Sequence, residues 1–195
     1  MKRYRIWLAV FSIIGLVLAT GCDAGSKLRN PLNWDVEDFQ YTNQDGKPFG
    51  SKNLKGKVWV ADFIFTNCTT VCPPMTANLA RLQKMVKEEK LDVEFVSFSV
   101  DPTVDNPEAL KAFAAKFTSD TSNWHFLTGY SQEEIERFAK KNFRTLVDKP
   151  DTTDQVMHGT SFFLVDQNGK VMKSYKGVSN TPYKDIIRDI ERLTK

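Results

Sequence analysis

The stretch KVWVADFIFTNCTTVCPPMTANLARLQKMVKEEKLDVEFVSFSVD, residues Lys57 to Asp101, decides the fold. Its opening KVWVADFIFT is almost continuously apolar, aromatic and β-branched, as a strand buried on both faces requires. Two cysteines four residues apart follow, then Pro73 and Pro74. Leu79, Leu82, Met85 and Val86 then recur at helical spacing before VEFVSFSVD begins a second strand. A strand, a helix and another strand in this order predict a parallel β-α-β unit, with the cysteines at the carboxyl end of the first strand.

The unit extends in both directions. Upstream, FQYTNQDGKPFGSKNLKGK carries Asp45-Gly46 between strand-like flanks, a hairpin signal. Downstream, a helix is expected from Pro107 to Phe117, a short strand in WHFLTG (124–129), and a helix to about Asn142 begun by a capping box of Ser131 and Glu134. SFFLVDQNGKVMKSYKG reads as a hairpin about Asn168-Gly169, and Pro182 to Leu193 as a closing amphipathic helix. The order, a hairpin, then β-α-β-α-β-α, then β-β-α, predicts an α/β domain with a largely parallel sheet covered by helices.

The N-terminus sets the compartment. Lys2, Arg3 and Arg5 precede an uncharged run from Ile6 to Ala19, the pattern of a secretory signal peptide. Leu18-Ala19-Thr20-Gly21-Cys22 is similar to a bacterial lipobox, so Cys22 is the expected lipid attachment site. The expected boundaries are a lipoprotein signal peptide over 1–21, a lipid-anchored tether over 22–33, and one domain over 34–195 at the extracytoplasmic face of the bacterial cell membrane. The formal charge of +3 resides in those first basic residues, because residues 1–21 contain no acid. The remainder is near neutral, which argues against a nucleic-acid partner.

Of three cysteines, Cys68 and Cys72 remain for the domain. A bridge between them would close too short a loop to stabilise the chain much, so a chemical role is the better account of the pair. The prolines favour a helix starting right after Cys72, and the positive end of its dipole lowers thiol pKa values. One turn between the cysteines brings their Cα atoms within about 6 Å, close enough for a disulfide. The pair can therefore be redox-active or clasp a soft ion such as Cu(I), whereas Zn(II) wants four ligands. The chain has two histidines. His125, in NWHFL, suits packing or the surface. His158, on a polar loop entering SFFLV, would face the cysteine loop in a thioredoxin-like sheet and could complete a Cu(II) site. Met75 is assigned to the core. Met157 is assigned no role, and Asp148, Asp151, Asp154 and Asp166 match no calcium loop.

FIFTNCTTVCPPMT, SFSVDPTVDNPEALKAF, NWHFLTG and HGTSFFLVDQNG together resemble the Sco (SenC) family of extracytoplasmic copper proteins. The resemblance runs from about Asn33 to the C-terminus. It implies a thioredoxin-like fold with an N-terminal β-hairpin extension, and a mainly monomeric metallochaperone rather than an enzyme. It further implies Cu(I) and Cu(II) as cargo, and the CuA subunit of cytochrome c oxidase as the partner accepting the metal. Cys68, Cys72 and His158 map onto the family's copper ligands, and Asp101 and Asp105 onto its D-P-x-x-D segment, with Asp101 near the metal. Many members carry an acid in the cysteine loop where this chain has Thr69 and Thr70, a difference that bears on docking and tuning. The alternative is a thiol-disulfide oxidoreductase that reduces the CuA-site cysteines or acts in redox signalling. Against it stand the C-x-x-x-C spacing and Thr160 in place of the usual proline. A peroxiredoxin motif would need proline and threonine at the positions of Ala61 and Phe65.

Overall fold

The computed structural model describes residues 28–150 and 152–194. Cys22, the signal peptide, most of the tether and Asp151 lie outside them. The two apolar runs form β4 (Val58–Ile64) and β5 (Val93–Ser99), and every residue of both is buried. They pair in parallel from Val58 against Val93 to Ile64 against Ser99, and β6 (Trp124–Thr128) continues the parallel set on the far side of β5. Three shorter strands precede these: β1 (Trp34–Asp35), β2 (Gln40–Asn43) and β3 (Pro48–Gly50). A two-stranded ribbon, β7 (Val147–Asp148) with β8 (Met157–His158), stands as a separate small sheet. Last come β9 (Ser161–Val165) and β10 (Lys170–Lys176).

The main sheet has eight strands in the order β1-β10-β9-β4-β5-β6-β2-β3. It is mixed rather than largely parallel. Only β4, β5 and β6 run together; β9 is antiparallel to β4, β10 to β9, β1 to β10, β2 to β6 and β3 to β2. Parallel neighbours need a long crossover, which the helices Cys72–Glu88 and Pro107–Ala114 supply between β4, β5 and β6. Tight turns make β2–β3 and β9–β10 antiparallel, and these two hairpins then dock antiparallel to β6 and β4. At the first of these turns Gly46 sits at φ +71, in the region where a side chain is strained, and the Asn43 carboxamide oxygen accepts from the N–H groups of Asp45 and Lys47. This hairpin lengthens the sheet beyond β6. The arrangement is a thioredoxin-like fold with an N-terminal β-hairpin extension.

Helices follow the strands: α1 (Ser51–Leu54, a single turn), α2 (Cys72–Glu88), α3 (Pro107–Ala114), α4 (Gln132–Phe138) and α5 (Tyr183–Thr194). Asn106 and Ser131 cap α3 and α4 by accepting from the N–H groups of Ala109 and Glu134. Residues Ala139–Phe143 continue α4 as a π turn, which brings Asn142 and Phe143 into the interior. Alternation along β4 divides the core. Trp59 and Phe63 face the ring of Phe143, in a cluster with Phe39, Phe98 and Phe138. Asp62 and Ile64 face the other side, where α2 buries Met75, Leu79 and Leu82 and packs against α5. Residues 28–33, expected within the tether, run beside β10: Leu32 N–H donates to the Met172 carbonyl, and Leu28 is buried. No helix of the described residues is long and apolar enough to cross a membrane.

Candidate metal centre

The chain leaves β4 at Ile64 and reaches α2 through seven loop residues. Pro73 and Pro74 occupy the opening turn of that helix, where a missing N–H costs nothing. With Pro73 and Pro74 lacking N–H groups and the Met75 N–H bonded to the Val71 carbonyl, the Cys72 N–H is the one that reaches the loop, donating to Cys68 Sγ at 3.3 Å. Asp105, fully buried, fixes the loop from the other side. Its carboxylate accepts from the Thr66 N–H, from Thr66 Oγ1 at 2.5 Å and from Ser99 Oγ at 2.6 Å. The end of β5 and the cysteine loop are thus joined through one side chain.

His158 arrives on the ribbon, where it pairs with Val147. The next residue, Gly159, passes so close to Thr145 that a Cβ there would lie 1.9 Å from Thr145 Oγ1. His158 Nδ1 lies 3.0 Å from the Gly159 carbonyl, which can only accept. The ring proton is therefore assigned to Nδ1, leaving the Nε2 lone pair free. Nε2 stands 3.2 Å from Cys72 Sγ. The two sulfurs and the imidazole nitrogen lie within 4.8 Å of one another, and among the described residues no other group of His, Cys, Asp or Glu side chains converges in this way.

The two thiols are not equivalent. Burial pushes Cys68 up, but the nearby His158 ring, the Cys72 side chain and the N–H groups of Cys72 and Thr70 outweigh it and hold its pKa at about 5. Cys72 is wholly buried. Burial and the adjacent Cys68 sulfur push its thiol far above the ordinary value. The metal-free pair is one thiolate and one thiol, both unbridged. A bound ion would displace the Cys72 proton and accept three donors, two soft sulfurs and one neutral imidazole, a set suited to copper.

Asp101 is 2% exposed and does not join the donors; its Oδ1 accepts from Lys149 Nζ at 2.6 Å and from Thr103 Oγ1 at 2.9 Å. His125 sits in packing, stacked on Phe49 at 3.8 Å and 3.0 Å from Glu94. Met75 is in the core, while Met157 is exposed on the ribbon. Asp166 caps the β9–β10 turn by accepting from the N–H groups of Asn168 and Lys170. Sequence reasoning missed Lys149 and Asp62. Asp62 carried a signal, an acid inside an otherwise apolar strand. Its Oδ1 accepts from Ser97 Oγ at 2.5 Å, its Oδ2 has no hydrogen-bond partner, and burial pushes its pKa up to about 7, against lowering by Ser97 and the nearby His158.

Comparison with known proteins adds lineage to this geometry. The SCO1/SenC family model matches residues 32–195. A SCO1/SenC family lipoprotein from Bacillus anthracis str. Ames has a solved structure that is 74% identical with a TM-score of 0.85, covering 86% of this chain and 99% of that one. The structure of BsSco, a member of the Sco family of cytochrome c oxidase assembly proteins with a disulfide switch, is 55% identical with a TM-score of 0.80, covering 86% and 98%. ScoI of Bradyrhizobium japonicum, solved with copper bound, is 26% identical with a TM-score of 0.66, covering 82% and 99%.

Proposed function

This chain belongs to the SCO1/SenC family, and on that premise we propose that it is a membrane-anchored, extracytoplasmic copper metallochaperone that supplies the CuA centre of cytochrome c oxidase. The observation that carries the proposal is the convergence of Cys68 Sγ, Cys72 Sγ and His158 Nε2 within 4.8 Å. Copper is the cargo. Two thiolates satisfy Cu(I), and the imidazole adds the donor that Cu(II) prefers. The copper-bound relative and the oxidase-assembly relative support both halves of the assignment. Lipid on Cys22 after removal of residues 1–21, with the residues between Cys22 and the segment that docks beside β10 from Leu28 as the tether, would hold the domain at the membrane. The lipoprotein relative supports that placement.

The thiolate–thiol asymmetry favours a second activity of the same pair, reduction of the acceptor's cysteines. Cys68 would attack a target disulfide and release one target thiolate. Cys72 would then attack Cys68 in the mixed disulfide, leaving the target reduced and Cys68–Cys72 oxidised, a two-electron exchange. Deletion of the protein separates the two roles. CuA oxidase activity should fall and recover in part on added copper, since mass action substitutes for a carrier. Recovery with a thiol reductant but not with copper would make reduction the main task.

A further inference from the structure

The ribbon that carries His158 has two residues per strand, and a hairpin this small is not stable alone. Its position must come from what it touches. Val147, paired with His158, is buried, and so is Val156. Lys149 follows β7 directly, one residue past Asp148. Its ammonium donates to Asp101 Oδ1 at 2.6 Å and to Thr103 Oγ1 at 3.0 Å. Asp101 in turn belongs to the turn that locates the cysteines. Its N–H donates to Ser99 Oγ, Ser99 Oγ donates to Asp105, and Asp105 accepts from Thr66 in the cysteine loop. One continuous chain of bonds therefore runs from the sulfur side of the site to the histidine side, and Lys149 is its last link.

We infer that Lys149 is a positioning residue for His158: by closing onto buried Asp101 it latches the β7–β8 ribbon against the cysteine loop, so that the imidazole stands in reach of the sulfurs only while the latch is shut. This rests on the copper reading of the site and adds a means of assembling and releasing its third donor. Opening the latch would leave the dithiol intact. The ion state that needs the imidazole should therefore feel the loss, and the state that does not should not.

The test compares the full chain with Lys149→Met, Lys149→Arg, His158→Ala and the double variant His158→Ala/Lys149→Met, measuring Cu(II) and Cu(I) affinity by chelator competition and the Cu(II) absorption spectrum. Lys149→Met should weaken Cu(II) by about 10- to 100-fold, the usual effect of losing a group that orients a ligand, and Cu(I) by less than about threefold. Lys149→Arg should restore most of the Cu(II) affinity. In the His158→Ala background Lys149→Met should cost nothing further, which a general loosening of the fold would not reproduce. Asp101→Asn/Lys149→Gln, which strands no buried charge, should repeat the Cu(II) loss in a folded protein. An unchanged Cu(II) affinity and spectrum in Lys149→Met, or an equal loss with and without His158, overturns the inference. Amide exchange decides it without metal: the Gly159 N–H, bonded to the Leu146 carbonyl, should exchange about tenfold faster in Lys149→Met. If the wild type bound no copper, the metallochaperone proposal would fall while this exchange comparison still decided the latch.

Discussion

Replacing Asp62 by asparagine should stabilise the reduced, metal-free protein at neutral and alkaline pH and leave it unchanged in acid. Asp62 is fully buried, with one oxygen accepting from Ser97, whose Oγ is itself held by the Trp124 indole N–H, and the other oxygen without a partner. Burial raises its pKa from 3.8 to about 7. The folded state therefore binds this proton more tightly than the unfolded state. The stabilisation is full below the unfolded pKa, declines as pH rises, and is gone once pH passes the folded value. A shift of about three units corresponds to about 4 kcal/mol. Asparagine can accept from Ser97 as the protonated acid does but never ionises, so the variant escapes the loss. Urea unfolding with reductant present, at about pH 4 and about pH 8, supplies the two stabilities for each protein. The variant should match wild type at the lower pH and exceed it by about 4 kcal/mol at the higher. An equal difference at both values would show that Asp62 does not bind its proton in the way its burial requires.

Further outcomes follow from the same geometry. In the reduced protein Cys68 should alkylate with a midpoint near pH 5 while Cys72 stays unreactive, and His158→Ala should move the Cys68 midpoint upward, as read by mass spectrometry of each peptide. Asp105→Ala leaves the Thr66 N–H and the Thr66 and Ser99 hydroxyls without their acceptor, so it should cost about 2–4 kcal/mol in urea unfolding; a neutral result would remove Asp105 as the fastening of the cysteine loop. Cys22→Ala should release the domain from the membrane fraction or trap its precursor, and wild-type protein found free of acyl mass at Cys22 would contradict the anchor.

The cysteine loop was readable because its determinants are local. A strand, two prolines and a helical repeat lie within a few residues of Cys68 and Cys72. His158 was placed correctly opposite them, but as a loop residue, because β7 and β8 are too short for any periodicity to show. The π turn after Phe138 was read as ordinary helix, since most of the rings that Phe143 turns inward to meet, Trp59, Phe63, Phe98 and Phe163, are far away in sequence. Lys149 likewise looks like any charged loop residue until the fold sets it beside Asp101, 48 positions earlier. The mixed sheet was missed for a different reason. The helical crossovers that dictate parallel pairing are conspicuous in sequence, while the antiparallel edges depend on which strand each hairpin docks against.

Copper titration of the reduced protein tests the central claim most directly, with Cu(I) and Cu(II) added separately to wild type, Cys72→Ser and His158→Ala. Wild type should bind one equivalent of either ion, with a strong sulfur-to-copper charge-transfer band for Cu(II). Cys72→Ser should lose high-affinity Cu(I), and His158→Ala should lose Cu(II) affinity far more than Cu(I) affinity. Undiminished Cu(I) affinity in the serine variant, or equal losses of both ions in the alanine variant, would contradict a copper centre built from Cys68, Cys72 and His158.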